Sequence, residues 1–113
     1  MRNDEPVKIE VKGSNYSRSF FVETEVFNKH TRTKKDGWFY KCQADYLFIV
    51  DMKNGFLYIL LLADLKDYLK RTTTEEKKHE DKNQITKGRV VRIDDLKEAG
   101  KEVQEINVNK LFP

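Results

Sequence analysis

Cysteine is almost missing from this chain: Cys42 is the only one in 113 residues. No internal disulfide can form, and a reducing compartment, the cytoplasm, is the expected setting. Histidine is nearly as scarce. His30 and His79 lie far apart, and with Cys42 they do not make the spacing of a zinc site. Long hydrophobic runs are absent too. The longest, Phe56 to Ala63, falls well below the ~20 residues of a membrane-spanning helix, and the N-terminus is charged rather than signal-like. No membrane partner is expected. Finally, there is no large excess of either charge. Lys and Arg number 22 against 19 Asp and Glu, a formal net charge of +3. That balance excludes a histone-like polycation and an acidic tail, and it permits nucleic-acid binding without requiring it.

What is present is a set of strand-like alternations and one helical stripe. Val7, Ile9 and Val11 alternate with Lys8, Glu10 and Lys12, which predicts a half-buried strand over Pro6 to Lys12. Gly13-Ser14-Asn15 supplies a turn, and Ser19 to Phe27 reads as a second strand. Asn28 to Asp36 reads as a basic loop, followed by Gly37 and the aromatic cluster Trp38, Phe39 and Tyr40. Tyr46 to Asp51 is nearly all apolar, as in a strand buried on both faces. Lys53-Asn54-Gly55 predicts a hairpin turn returning through Phe56 to Leu61. Leu62, Leu65, Tyr68 and Leu69 then form a helical stripe over residues 62–71. Residues 72–86 lack periodicity and read as a charged loop or disordered excursion. Arg89 to Ile93 reads as a strand, Asp94 as the cap of a short helix to Ala99, and Val103 to Val108 as an edge strand. The expectation is a single α/β or α+β domain: one mixed sheet of about five strands, one main helix and a short C-terminal helix.

The sharpest chemical feature is Glu10-Val11-Lys12. Residues two apart on a strand share a face, so a carboxylate and an ammonium stand side by side. Such a pair can hold Mg²⁺ or Mn²⁺ through the carboxylate and stabilise charge developing on a phosphodiester through the lysine. Glu23 and Glu25 could add a carboxylate if the two strands pair. The plainer reading is a surface ion pair contributing little.

The order IEVKG at 9–13, FFVETE at 20–25, GWFYK at 37–41, QADYLFIV at 43–50, LYIL and ADLKDYL within 57–69 and KGRVVRIDDL at 87–96 resembles the PD-(D/E)XK nuclease superfamily, in its small phage and bacterial branch. The resemblance implies a restriction-endonuclease-like core and metal-dependent phosphodiester hydrolysis. It makes Glu10 a metal ligand, Lys12 the catalytic lysine and Glu23 an additional acidic residue near the metal. The family's upstream helix and metal-binding aspartate have little room here, since nine residues precede Glu10. Asp4 is the one aspartate available, with Pro6 restricting its path back. An incomplete metal site is therefore expected. The alternative is a catalytically inactive nuclease-fold binding module, such as a phage inhibitor of a host nuclease or an assembly partner, working in the host cytoplasm with a protein partner or as a homodimer.

Nucleic acid, DNA or RNA, is the other expected partner. Arg18, Lys29, Arg32, Lys34, Lys35 and Lys41 could contact phosphates, and Trp38 or Tyr40 could stack on bases. Against this stands a solvated lysine-rich loop with Trp38 and Phe39 packed beneath it. Cys42 reads as a buried free thiol, His79 as solvated, and the Leu62, Leu65, Leu69 stripe as core.

Overall fold

The computed structural model describes residues 6–110, and its class is α+β. Eight strands among these residues form two four-stranded sheets. The first contains β1 (Ile9–Ser14), β4 (Tyr46–Asp51), β5 (Phe56–Leu61) and β8 (Gln104–Asn107), side by side in that order. It is mixed: β1 runs parallel to β4, while β5 and β8 add antiparallel. The second is wholly antiparallel, with β3 (Thr33–Asp36), β2 (Ser19–Asn28), β7 (Gln84–Arg92) and β6 (Glu76–Glu80) in that order. Helices α1 (Trp38–Lys41), α2 (Leu62–Arg71) and α3 (Ile93–Glu98) complete the fold.

One core joins the two sheets. Leu47 and Ile49 of β4 and Tyr58 and Leu60 of β5 meet Phe20, Val22 and Val91 of the second sheet. Helix α2 adds Leu62, Leu65, Tyr68 and Leu69, the stripe expected from its spacing, while α3 adds Ile93 and Leu96. The Asn54-Gly55 turn is present, with Gly55 at φ +71°. Its left-handed backbone is open to glycine without the Cβ penalty.

The single mixed sheet of about five strands is corrected to two sheets. The segments that sequence patterning misses are charged edges. TKKD forms β3 and EKKHE forms β6. Strand pairing is made by backbone groups, and an edge strand lying largely in solvent needs no apolar alternation. For the same reason residues 72–86 are not a loop or disordered excursion. They hold β6 and the start of β7, joined by a turn in which Asp81 Oδ1 accepts Asn83 N–H at 2.7 Å and Gln84 N–H at 2.8 Å.

Three smaller corrections concern local geometry. Trp38-Phe39-Tyr40 is a single helical turn with only Phe39 buried. Asp94 lies inside α3 and binds Arg18, and the N-cap position is Arg92 without a side-chain cap. The far end of α3 behaves as expected: Gly100 at φ +83° lets its own N–H reach Lys97 O and Lys101 N–H reach Leu96 O, both at 3.0 Å.

The most consequential correction is the facing of β1. Its alternation is as read, but the apolar side is outward: Val7, Ile9 and Val11 are exposed, whereas Glu10 and Lys12 are only half-exposed. Register explains it. Glu10 pairs with Leu47 and Lys12 with Ile49, both core residues, while Ile9 and Val11 pair with Tyr46 and Phe48 on the opposite face. That outer face continues through Leu57, Ile59 and Leu61 of β5, so the outer surface over β4 and β5 is apolar and β1 conforms to it.

Candidate functional site

Glu10 and Lys12 stand at the edge of the first sheet, on its core side, facing α1. Lys12 Nζ lies 3.2 Å from Glu10 Oε1 and 4.9 Å from the centre of the Trp38 ring. Glu10, Trp38, Lys41 and Gln43 line a groove of about 390 Å³ with Cys42 at its wall. The Glu10 side chain keeps 40% of its exposure and Lys12 32%. Glu10 faces the groove, and Lys12 stands behind it, against Glu10 and the Trp38 ring.

Three local devices build this groove. Asp45 fixes the entry of β1: its Oδ2 accepts Lys8 N–H at 3.0 Å, and its own N–H donates to Lys8 O at 2.8 Å. A register shift between Glu23 and Glu25 bends β2, and at this irregularity Thr24 O accepts Gly37 N–H at 3.0 Å. Gly37 then lies so close to β2 that any Cβ there would run into the Glu23 carbonyl. Glu23 Oε1 accepts Trp38 N–H at 3.2 Å, which satisfies one of the orphan donors at the start of α1, and buried Phe39 anchors the turn from below.

The predicted site residues therefore separate. Glu10 and Lys12 come together as expected. Glu23, expected as a metal ligand, has one oxygen engaged in positioning α1. Asp4 lies outside the described residues. Glu25 pairs instead with Lys87 at 3.5 Å. Among the described residues no group of three or more His, Cys, Asp or Glu side chains could hold a metal ion. The donor set fits a looser arrangement, because Mg²⁺ commonly keeps several waters and binds through one or two carboxylates plus substrate phosphates. Glu10 can supply such a carboxylate.

The expected phosphate contacts separate as well. Arg18 does not face a ligand: its Nη2 meets Asp94 at 2.7 Å and its Nη1 meets Glu105 at 2.6 Å. Both carboxylates are held below their ordinary range. For Asp94 the hydrogen bond from Arg18 is the main cause, and for Glu105 the bond from Lys97 leads and that from Arg18 follows. Lys29 is paired with Glu80 at 2.5 Å. Arg32 sits in the turn before β3 with φ +56°, and Lys34 and Lys35, adjacent on β3, are exposed on opposite sides of that strand. The basic segment is not one phosphate-binding surface. Lys41 and Tyr40, in contrast, stand exposed beside the groove.

Sequence reasoning missed the hub at Asp51. This carboxylate is 1% exposed and accepts Lys53 N–H at 3.1 Å, Asn54 N–H at 3.0 Å, Asn54 Nδ2 at 3.2 Å and Tyr58 OH at 3.3 Å. Burial alone would push its pKa up, but the bonds from Asn54, Arg18 and Lys53 outweigh burial and hold it below the ordinary value. An aspartate closing an apolar strand just before Asn-Gly was the available signal. Among the described residues no helix is long and apolar enough to cross a membrane. Comparison with protein-family profiles, curated proteins and solved structures gave no significant match.

Proposed function

We propose that this chain is a nuclease-like protein of the PD-(D/E)XK kind that engages nucleic acid through the groove beside the Glu10–Lys12 pair and hydrolyses phosphodiesters there. The observation that carries the reading is the inverted strand. It leaves Ile9 and Val11 on the outer apolar face and turns Glu10 and Lys12 toward the core side. A carboxylate and an ammonium turned that way, beside an aromatic ring and an open groove, are suited to work on a ligand. Lys12 would stabilise negative charge developing on the phosphoryl oxygens, and Lys41 at the groove wall would hold the backbone. Trp38 limits water access on one side of the lysine. A divalent cation, when bound through Glu10 and the substrate's own phosphate oxygens, would supply Lewis acidity and an activated water.

The test is calorimetric titration of Mn²⁺ with and without a short oligonucleotide, on the wild type and on Glu10→Ala, together with cleavage of single-stranded and duplex DNA and RNA. The expected result is weak metal binding that tightens with nucleic acid and disappears in Glu10→Ala, with cleavage lost in Lys12→Ala. Metal-independent behaviour with no cleavage of any substrate would overturn the hydrolytic reading.

A second reading, an inactive binding module, draws on the outer face of the first sheet. Ile9, Val11, Tyr46, Phe48, Ile59 and Leu61 form an apolar patch on that face, with Gln104 of β8 at its side. Paired with the same face of a second copy it would make a small, concentration-dependent homodimer. Sedimentation over a range of concentrations tests this, and a monomer at every concentration would remove it.

A further inference from the structure

We infer that the cavity between α1 and α2 is a binding subsite for a single-stranded segment of nucleic acid, with phosphates on Lys66 and Lys70 and one unstacked base on Tyr40. The inference rests on the proposed reading and extends it to residues that lie outside the Glu10 groove. The cavity, about 270 Å³, is lined by Thr24, Phe39, Tyr40, Lys66, Lys70 and Arg89 among others, and no carboxylate among the described residues lines it. Three positive charges converge on one concave surface.

Each of these charges lacks a compensating carboxylate among the described residues. Arg89 donates to Leu69 O at 2.9 Å, to Thr72 O, and to Thr74 Oγ1 at 2.8 Å, all of them neutral acceptors. Its guanidinium therefore fixes the end of α2, and the residue also lines the cavity. Lys66 and Lys70 are exposed and one helical turn apart, an arrangement of like charges that weakens a helix by a few tenths of a kcal/mol. Neither appears in an ion pair among the described residues, although Asp67 between them binds Arg71 at 2.8 Å and Lys101 at 2.6 Å. The dipole at the C-terminus of α2 favours Lys70 in the last turn, and Lys66 in mid-helix holds its Nζ 6.0 Å from the centre of the Phe39 ring, which lines the cavity. An anion between the two lysines would add the charge partner that both lack among the described residues.

The base comes from α1. Tyr40 is 60% exposed, although its neighbour Phe39 is buried, and the two rings meet edge-on at 5.3 Å. The Tyr40 ring is thus supported from beneath with its surface open to solvent, the arrangement used for stacking an unpaired base. Helix α1 also connects this cavity to the Glu10 groove, since Trp38 and Lys41 line the groove while Phe39 and Tyr40 line the cavity. A strand passing over α1 would touch both. A duplex cannot offer an unstacked base, so the ligand is single-stranded.

The test is fluorescence anisotropy of labelled oligodeoxythymidylate, and of a duplex of equal length, in EDTA so that binding is read without hydrolysis. Expected are preferential binding of the single strand and a fall in the log K against log salt slope of about 1.4 in Lys66→Ala/Lys70→Ala, at ~0.7 per phosphate contact. Lys53→Ala/Lys110→Ala, remote exposed lysines, should leave the slope unchanged. Tyr40→Ala should weaken binding about tenfold and Tyr40→Phe should restore it. Far-ultraviolet circular dichroism confirms that the variants fold. An unchanged slope in the α2 double variant, or duplex binding as tight as single-strand binding with Tyr40→Ala silent, would overturn the inference. Because the assay excludes metal, failure of hydrolysis and failure of this subsite are read separately.

Discussion

Arg18 Nη1 lies 2.6 Å from Glu105 Oε1, which ties the residue just before β2 in the second sheet to edge strand β8 of the first. The same guanidinium reaches Asp94 of α3, and Glu105 is reached from its other side by Lys97 at 2.5 Å. Four charged groups from three elements thus close one end of the core. They share Arg18 with Asp51, whose Oδ2 accepts the Arg18 backbone N–H at 3.5 Å.

The Arg18 backbone has φ +50°, a left-handed conformation that costs a non-glycine residue about 1–2 kcal/mol. Arg18→Ala would keep that cost and lose the ion pairs, which are exposed and screened by solvent. Arg18→Gly would lose the pairs but relieve the backbone. The expected order of urea midpoints places Arg18→Gly above Arg18→Ala, because both lose the pairs and only alanine keeps the strained backbone. Salt should narrow the gap between wild type and Arg18→Ala.

Asp51→Asn is expected to destabilise the fold by about 2–3 kcal/mol, since one amide nitrogen would face donors that now meet an oxygen. The pH dependence follows from the lowered carboxyl pKa. Below its ordinary value of 3.8 the unfolded chain takes up the proton first, so the stabilisation is complete above that pH and disappears as pH falls through the folded-state value. Urea unfolding at a series of pH values should show this acid loss in the wild type. The Asp51 contribution to it should be missing in Asp51→Asn.

Gly37→Ala should damage the groove without touching Glu10 or Lys12. The new methyl group would collide with the Glu23 carbonyl, and backbone on both sides leaves little room to yield. A loss of about 2–3 kcal/mol is expected, in keeping with overpacking. Trp38 is the single tryptophan, so its fluorescence reports displacement of α1 directly.

Ile9→Lys/Val11→Lys tests the outward facing of β1. Both side chains are about half exposed or more, so monomer stability should change by less than about 0.5 kcal/mol per site. Inward-facing valine and isoleucine would instead cost several kcal/mol. The same variant should abolish any dimer seen by sedimentation.

Local order was legible wherever one side-chain pattern dominates. The alternation of β2, the apolar run of β4, the Asn54-Gly55 turn and the stripe of α2 each follow from the period at which residues face a core. The bounds of β4, β5 and α2 agree with the reading, because turn and period signals coincide at their ends. The adjacency of Glu10 and Lys12 was equally accessible, since it depends only on strand geometry.

Tertiary structure decided the rest. A strand's pattern says which residues share a face but not which face meets the core, so the register of β1 on β4 alone placed Glu10 beside Trp38 and left Ile9 outside. Edge strands β3 and β6 are held by backbone pairing to neighbours distant in sequence, which a charged segment does not announce. The fate of each charge was likewise a matter of partners: Arg18 and Lys29 found carboxylates from remote elements, while Lys66 and Lys70 have none among the described residues. The sequence by itself determined the elements with a dominant apolar pattern and the pairing of a carboxylate with a lysine. Long-range packing determined their orientation and neighbours, because those depend on contacts between residues that local spacing does not relate.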